Sequence, residues 1–201
     1  MVSQPQPRYT PEEYLALERA APTKSEYLDG TMFAMAGASR QHNTITANLV
    51  RHLGNQFAGG PCRVYVSDMR VKVAATGLYT YPDVAAVCGR EEFADAQADT
   101  LLNPTVIFEV LSPSTEAYDR GLKFAHYWRL ASLTDYVLVA QDRVRVEHFT
   151  RHGAGWYVTE ITSLDAALQL DSVGCALPLG AIYQNVEFAT PAAGPRAVPP
   201  L

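Results

Sequence analysis

Apolar residues recur along this chain at two spacings. At intervals of three to four, His42, Ile45, Leu49, Leu53 and Phe57 form one stripe, which predicts a helix over about residues 41–57, stopped by Gly59-Gly60-Pro61. A shorter helix is predicted upstream. There Thr10-Pro11-Glu12-Glu13 joins a Thr N-cap to a proline in the first turn and a glutamate three residues after the cap, and the helix runs to about Arg19. Elsewhere the apolar runs are short and strand-like. Asp29-Gly30 lies between two of them as a two-residue hairpin turn. Further strands are predicted at Arg63–Val66, Arg70–Ala74, Asp83–Cys88 and Thr105–Leu111, the last being the most apolar. The segment from Ser112 opens a helix that reaches about Leu130. Beyond it, Tyr136–Ala140, Val144–Thr150 and Trp156–Ile161 read as an antiparallel meander, with turns at Gln141-Asp142 and Gly153–Gly155.

Helices early and in mid-chain, with hairpins at both ends, predict an α/β fold of α+β character: a central mixed β-sheet flanked by helices. The expected organisation is a flexible polar arm over residues 1–9, one domain over 10–188, and a disordered Pro/Ala-rich tail over 189–201. No internal repeat is evident.

Composition narrows the picture. Of 201 residues, 48% are hydrophobic and 18% charged, which excludes global disorder. No apolar run approaches the roughly 18 residues of a membrane span, and the first ten residues lack a basic-then-apolar signal pattern. The three cysteines, Cys62, Cys88 and Cys175, are far apart, odd in number and without a CxxC pair. Neither a disulfide framework nor a zinc site is expected, and the reducing cytoplasm is the expected compartment. The net charge of −5 counts against avid nucleic-acid binding, although an acidic site neutralised by a cation partly escapes that objection.

The informative residue is Glu109. It interrupts Val106–Leu111, a run otherwise wholly apolar that reads as a strand buried on both faces. Alternation sets Glu109 on the face of Ile107 and Leu111. A carboxylate there needs a cation or several donors, because an unpaired buried charge is strongly disfavoured. Two readings follow, a buried ion pair with Arg or Lys and a metal site. Asp83 bears on the choice. It follows Tyr81-Pro82 and opens the strand Val84–Val87, so two strands each offer a carboxylate near a common edge, the hard-oxygen donor set that suits Mg²⁺. Taken alone, Asp83 is equally a strand-start residue.

Tyr81-Pro82-Asp83-Val84, then Phe108-Glu109-Val110-Leu111-Ser112-Pro113-Ser114-Thr115, then Asp119 and Lys123, resemble the Uma family of restriction endonucleases, a branch of the PD-(D/E)XK nuclease superfamily. Glu26-Tyr27-Leu28-Asp29-Gly30, His42 and the stretch Tyr127–Val139 are similar too, and the likeness covers roughly residues 8–188. It implies a restriction-endonuclease-like core preceded by a helix and hairpin. It also implies Mg²⁺, with Mn²⁺ as a substitute, bound by Asp83, Glu109 and the Val110 carbonyl, and a DNA substrate. One position departs from the superfamily pattern: the lysine expected two residues after Glu109 is Leu111. The resemblance implies that Lys123, on the following helix, takes its place, whereas Asp119 and Lys123 four apart also make an ordinary surface ion pair. Glu26, which the hairpin register sets near Phe33, would by the resemblance be a further acidic ligand or a group that orients the metal-bound water, or else an exposed residue paired with Lys24 or Arg40. His42 would join the site or stand as a satisfied core histidine. Arg70, Lys72 and Arg120 are candidates for phosphate contact or plain surface charges. Ser112–Thr115 most simply caps the helix.

The expected function is Mg²⁺-dependent endonucleolytic hydrolysis of DNA, with Asp83, Glu109, Lys123, Glu26 and His42 as the catalytic set. A homodimer is expected if both strands are cut, and no membrane association is expected. The alternative is a catalytically inactive nuclease-fold module that binds nucleic acid or protein. There is no GxSxG, HExxH or phosphate-loop glycine pattern to support another hydrolase class.

Overall fold

A computed structural model describes residues 7–35 and 37–188, so the anticipated tail and the first six residues of the anticipated arm lie outside the described residues. Tyr9, within that arm, donates its amide to the Gly30 carbonyl at 2.9 Å.

Helix α1 (Pro11–Ala20) begins on a reciprocal capping box: Thr10 Oγ1 accepts from the Glu13 amide, and the Glu13 carboxylate accepts from the Thr10 amide. Its buried Tyr14 stacks on Tyr27 of β1 (Ser25–Leu28), with ring centroids 4.9 Å apart. β1 turns into β2 (Thr31–Ala34) through Asp29 and Gly30, both at positive φ (48° and 83°), the left-handed pair that a tight hairpin requires. Ser39 caps α2 (Arg40–Phe57), whose stripe Ile45, Leu49, Leu53 and Phe57 is buried. Six strands follow: β3 (Cys62–Val66), β4 (Arg70–Val73), β5 (Leu78–Thr80), β6 (Val84–Cys88), β7 (Thr100–Leu101) and β8 (Val106–Leu111). The next helical segment has three parts: α3 (Glu116–Tyr118), a π-helical turn (Asp119–Lys123) and α4 (Phe124–Tyr127). The chain closes with the meander β9 (Asp135–Ala140), β10 (Val146–His152), β11 (Gly155–Ile161), the hairpin β12 (Ala167–Leu170) and β13 (Cys175–Pro178), and α5 (Leu179–Ile182).

The mixed α/β class expected from the sequence is observed, with the strands divided between two larger sheets and the two-stranded β12–β13 hairpin. One sheet has six strands in the order β11-β10-β9-β8-β6-β3, parallel only between β8 and β9; the other has five in the order β2-β1-β5-β4-β7, parallel only between β4 and β7. β8 is central, and all six of its residues are buried. Val106, Phe108 and Val110 pack with the α2 stripe and the β12–β13 hairpin. Ile107 and Leu111 pack on the opposite face, with Tyr127, Leu130 and Tyr136. Glu109 shares that second face, so it stands beneath the segment that carries Lys123 and Tyr127.

Several expectations are corrected. Cys62 and Cys88 are joined in a disulfide, against the reading from their number and spacing: antiparallel pairing of β3 with β6 sets the two residues directly opposite each other. Cys175 is a free, buried thiol. The helix after β8 ends at Tyr127, short of Leu130. β5, β7, the β12–β13 hairpin and α5 were not anticipated. Among the described residues, no helix is long and apolar enough to cross a membrane.

Candidate active site

Asp83 immediately precedes β6. The antiparallel register pairs Val84 with Phe108, so one step further sets Asp83 opposite Glu109. The local chain enforces the approach. Pro82 fixes φ ahead of Asp83, and Asp83 Oδ2 then accepts from the Val110 amide at 2.7 Å. His42, in the first turn of α2, brings Nε2 to 3.1 Å from the same oxygen. The Nδ1 of that imidazole is buried and has no hydrogen-bond partner among the described residues.

Glu109 is 3% exposed, yet its carboxylate has partners. Lys123 Nζ lies 2.9 Å from Oε1, and Tyr127 Oη donates to the same oxygen at 3.0 Å. The ammonium of Lys123 also stands 3.5 Å from Glu26 Oε1 and 3.5 Å from Asp119 Oδ1. Glu26 in turn accepts from the Thr80 hydroxyl and, at 3.0 Å, from Tyr118 Oη. Four elements therefore converge: β1 with Glu26, β5 with Thr80, β8 with Glu109, and the π-helical turn with Lys123. A π-turn is uncommon in helices and frequent at functional positions; here its two ends, Asp119 and Lys123, both point inward and are 3% and 4% exposed.

Burial pushes the Glu109 carboxyl well above its ordinary range. The Lys123 ammonium opposes that shift, and the charges of Asp119 and Asp83 add to it. Asp119 is raised for the same first reason. Burial alone would lower Lys123, but Glu109, Glu26 and Asp119 outweigh it and hold the ammonium charged. Three carboxyl groups, Glu26, Glu109 and Asp119, stand within 3.5 Å of the one ammonium, and this crowding of like charge adds to burial in raising Glu109 and Asp119.

All five sequence-derived side chains, Glu26, His42, Asp83, Glu109 and Lys123, line one cleft of about 830 Å³, together with Val110. Glu26 pairs with Lys123 and not with Lys24 or Arg40. Asp119 and Lys123 form a buried contact and not a surface pair. Leu111, where the superfamily would have its lysine, is 4% exposed in the apolar cluster beneath the helix. The three cations considered for phosphate contact are engaged elsewhere. Arg70 is buried and paired with Asp99, Lys72 lies over the Tyr79 ring, and Arg120 pairs with Glu116 and Glu147. Ser112 does not cap α3 by a side-chain bond, but its Oγ accepts from the Thr115 amide one turn earlier. Sequence reasoning missed Thr80, Tyr118 and Tyr127 as partners of the carboxylates. Tyr127 was within reach, four residues past Lys123 on one helical face. Thr80 was not, because it lies on a three-residue strand.

The donor set can be tested for fit to a divalent cation. Among the described residues, no group of three or more His, Cys, Asp or Glu is arranged around one point. Asp83 uses Oδ2 for both its contacts and Glu109 uses Oε1 for both its contacts. The remaining oxygens, Asp83 Oδ1 and Glu109 Oε2, accept no hydrogen bond from the described residues. Two opposed carboxylates that line one cleft, each with an oxygen free of such bonds, fit Mg²⁺, which takes one or two carboxylates and completes its shell with carbonyl, water and phosphate oxygens.

A mixed sheet with one carboxylate just ahead of a strand, a second opposite it on the neighbouring strand and a lysine against the second defines a restriction-endonuclease-like architecture. The family model Uma2, described as "putative restriction endonuclease", matches residues 11–180, and the chain belongs to that family. Two proteins of Synechocystis sp. are similar along most of their length. Uncharacterized protein slr1290 is 37% identical over 187 residues, covering 92% of this chain and 97% of its own. Uncharacterized protein sll1609 is 37% identical over 161 residues, covering 80% and 91%. A crystal structure described as a putative nuclease belonging to DUF820, from Anabaena variabilis, superposes with a TM-score of 0.71. It covers 86% of this chain and 96% of that one at 17% identity, a likeness of fold.

Proposed function

We propose that this chain is a metal-dependent endonuclease that hydrolyses phosphodiester bonds of DNA. The observation that carries the reading is the opposed pair Asp83 and Glu109, which line one cleft and each keep one carboxylate oxygen that accepts no hydrogen bond from the described residues. Asp83, Glu109 and the Val110 carbonyl would hold Mg²⁺ or Mn²⁺. A cation there supplies acidity to a water molecule and counter-charge to the scissile phosphate. The chain's own residues supply the rest. Lys123 carries a proton at Nζ beside Glu109 and offers positive charge where negative charge develops on the phosphate. Tyr127 fixes the Glu109 rotamer, His42 steadies Asp83 through Oδ2, and Glu26 aims Lys123. Cutting both strands of a duplex at one place would require two copies related by symmetry. The working compartment is the cytoplasm, where DNA lies. The Cys62–Cys88 pair would be reduced there, and the β3–β6 register would keep the two residues opposed without the bond.

One observation favours a second reading. The Lys123 ammonium already lies against Glu109, Glu26 and Asp119, so the carboxylates have a counter-ion without metal. On that reading the chain is an inactive nuclease-fold module that binds nucleic acid or protein. Incubation of the purified protein with plasmid and oligonucleotide DNA in Mg²⁺ and in Mn²⁺ separates the two. Cleavage that disappears in Asp83→Asn and Glu109→Gln supports the enzyme. Absence of cleavage by wild type on every form of DNA supports the module.

A further inference from the structure

The cleft offers little that suits duplex DNA. Proteins that hold a duplex do so largely through lysine and arginine on the phosphates. Lys24 and Lys123 are the two lysines or arginines among the cleft-lining residues. Lys123 is held by three carboxylates. Lys24 is bound to the Ser67 carbonyl at 2.8 Å and to Asp68 at 2.9 Å. The exposed apolar groups stand out instead. Phe33 is 51% exposed and Leu122 is 68% exposed, and both line the same cleft as the carboxylates, with Leu28 and Met35 between polar neighbours. Phe33 is the direct cross-strand partner of Glu26. Directly opposed side chains stand on one face of a hairpin with Cβ atoms about 4.5–5.5 Å apart, so the phenyl ring flanks the acidic centre.

A solvent-facing phenyl group beside a phosphodiester site has one natural complement in a nucleic acid, the face of a base. In a duplex those faces are hidden within the stack. In a single strand, or in a nucleotide turned out of a duplex, they are free. Stacking on an aromatic side chain tolerates any base and supplies affinity without added cations.

We infer that the cleft takes an unpaired nucleotide, with Phe33 as the platform for its base beside the Asp83–Glu109 centre. The inference rests on the nuclease reading and narrows it, from DNA in general to single-stranded segments, flaps or extruded bases. With few lysine or arginine contacts to phosphate, the affinity of such a complex should fall less steeply with salt than that of a binder with a basic groove. Because Phe33 is half exposed, replacing it leaves the core intact.

The test is fluorescence anisotropy of a short labelled oligothymidylate and of a matched hairpin duplex, with Ca²⁺ in place of Mg²⁺. Wild type, Phe33→Ala, Phe33→Leu and Phe33→Trp are compared after their melting temperatures are shown to agree. The expected result is preference for the single strand, a loss of about 5- to 150-fold in Phe33→Ala, a comparable loss in Phe33→Leu, and retention in Phe33→Trp. Equal or tighter binding of the duplex, or single-strand binding indifferent to Phe33→Ala, overturns the inference while leaving the nuclease reading standing. A loss in Phe33→Ala that Phe33→Leu restores assigns the ring to apolar packing and likewise overturns it. Binding of no nucleic acid of either form overturns both.

Discussion

Lys123→Met removes the one cation at the centre of the acidic cluster and leaves an apolar side chain of similar length. At an effective dielectric near 20, a contact at 2.9 Å with Glu109 is worth about 6 kcal/mol and each contact at 3.5 Å about 5 kcal/mol. These gross attractions are offset by the cost of desolvating the ammonium. The stranded carboxylates also have an escape, since protonating one with an ordinary pKa of about 4.3 costs about 3.7 kcal/mol at pH 7. The net loss is therefore expected at about 3–5 kcal/mol, the range for breaking one side of a buried ion pair. In a domain of this size that lowers the melting temperature by about 6–20 °C. The assay is urea unfolding at neutral pH in chelator, followed by tryptophan fluorescence, with the slope checked for equality between wild type and variant. Added Mg²⁺ should restore more stability to the variant than to wild type, because a cation at Asp83 and Glu109 supplies the missing counter-charge. A variant with the wild-type midpoint, or one indifferent to Mg²⁺, would falsify the view that Lys123 neutralises this cluster.

Three further outcomes are expected. The hydrogen bond from Arg19 holds the Asp99 carboxyl well below its usual range, and Arg70 adds to the effect. A lowered folded value means stabilisation that is complete above the ordinary value of about 4 and lost as pH falls through the folded one. Wild type should therefore lose melting temperature below pH 4, with Asp99→Asn showing a flatter profile. Tyr81 donates to Glu18 Oε1 at 2.8 Å and accepts from Arg70 at 3.1 Å, both in a buried setting just before Pro82-Asp83. Tyr81→Phe leaves both partners short of a bond and should cost about 1–3 kcal/mol in urea unfolding; a change within error would remove this network as a support of Asp83. Reduction of Cys62–Cys88, which are 26 residues apart, should lower stability by about 3–4 kcal/mol on chain-entropy grounds. Equal midpoints with and without reductant would count against that bond in solution.

The parts of the fold legible in sequence were those that carry their own local signal. The capping box of α1, the Asp29-Gly30 turn, the stripe of α2 and the apolar run of β8 each lie within one short window, and each appears at its expected place. β5, β7 and the β12–β13 hairpin have two to four residues per strand and gain their order from neighbouring strands, which no window reveals. The same limit explains the disulfide and Arg70. Cys62 meets Cys88 through strand register, and Arg70 is buried because Asp99 and two tyrosine rings enclose it. In the site, Glu109 announced itself as a lone charge in an apolar strand. The position of Lys123 beside it came from family likeness, since its spacing from Asp119 reads equally as a surface pair. Thr80 and Tyr118, which hold Glu26, reach it from sequence distances of 54 and 92 residues.

The central claim is that Asp83 and Glu109 jointly hold a divalent cation. Anomalous scattering from crystals soaked in Mn²⁺ addresses it directly. The account predicts one strong peak within coordination distance of Asp83 Oδ1 and Glu109 Oε2, absent in Asp83→Asn crystals. A featureless map at that point in wild type, or an equal peak in the variant, would contradict it.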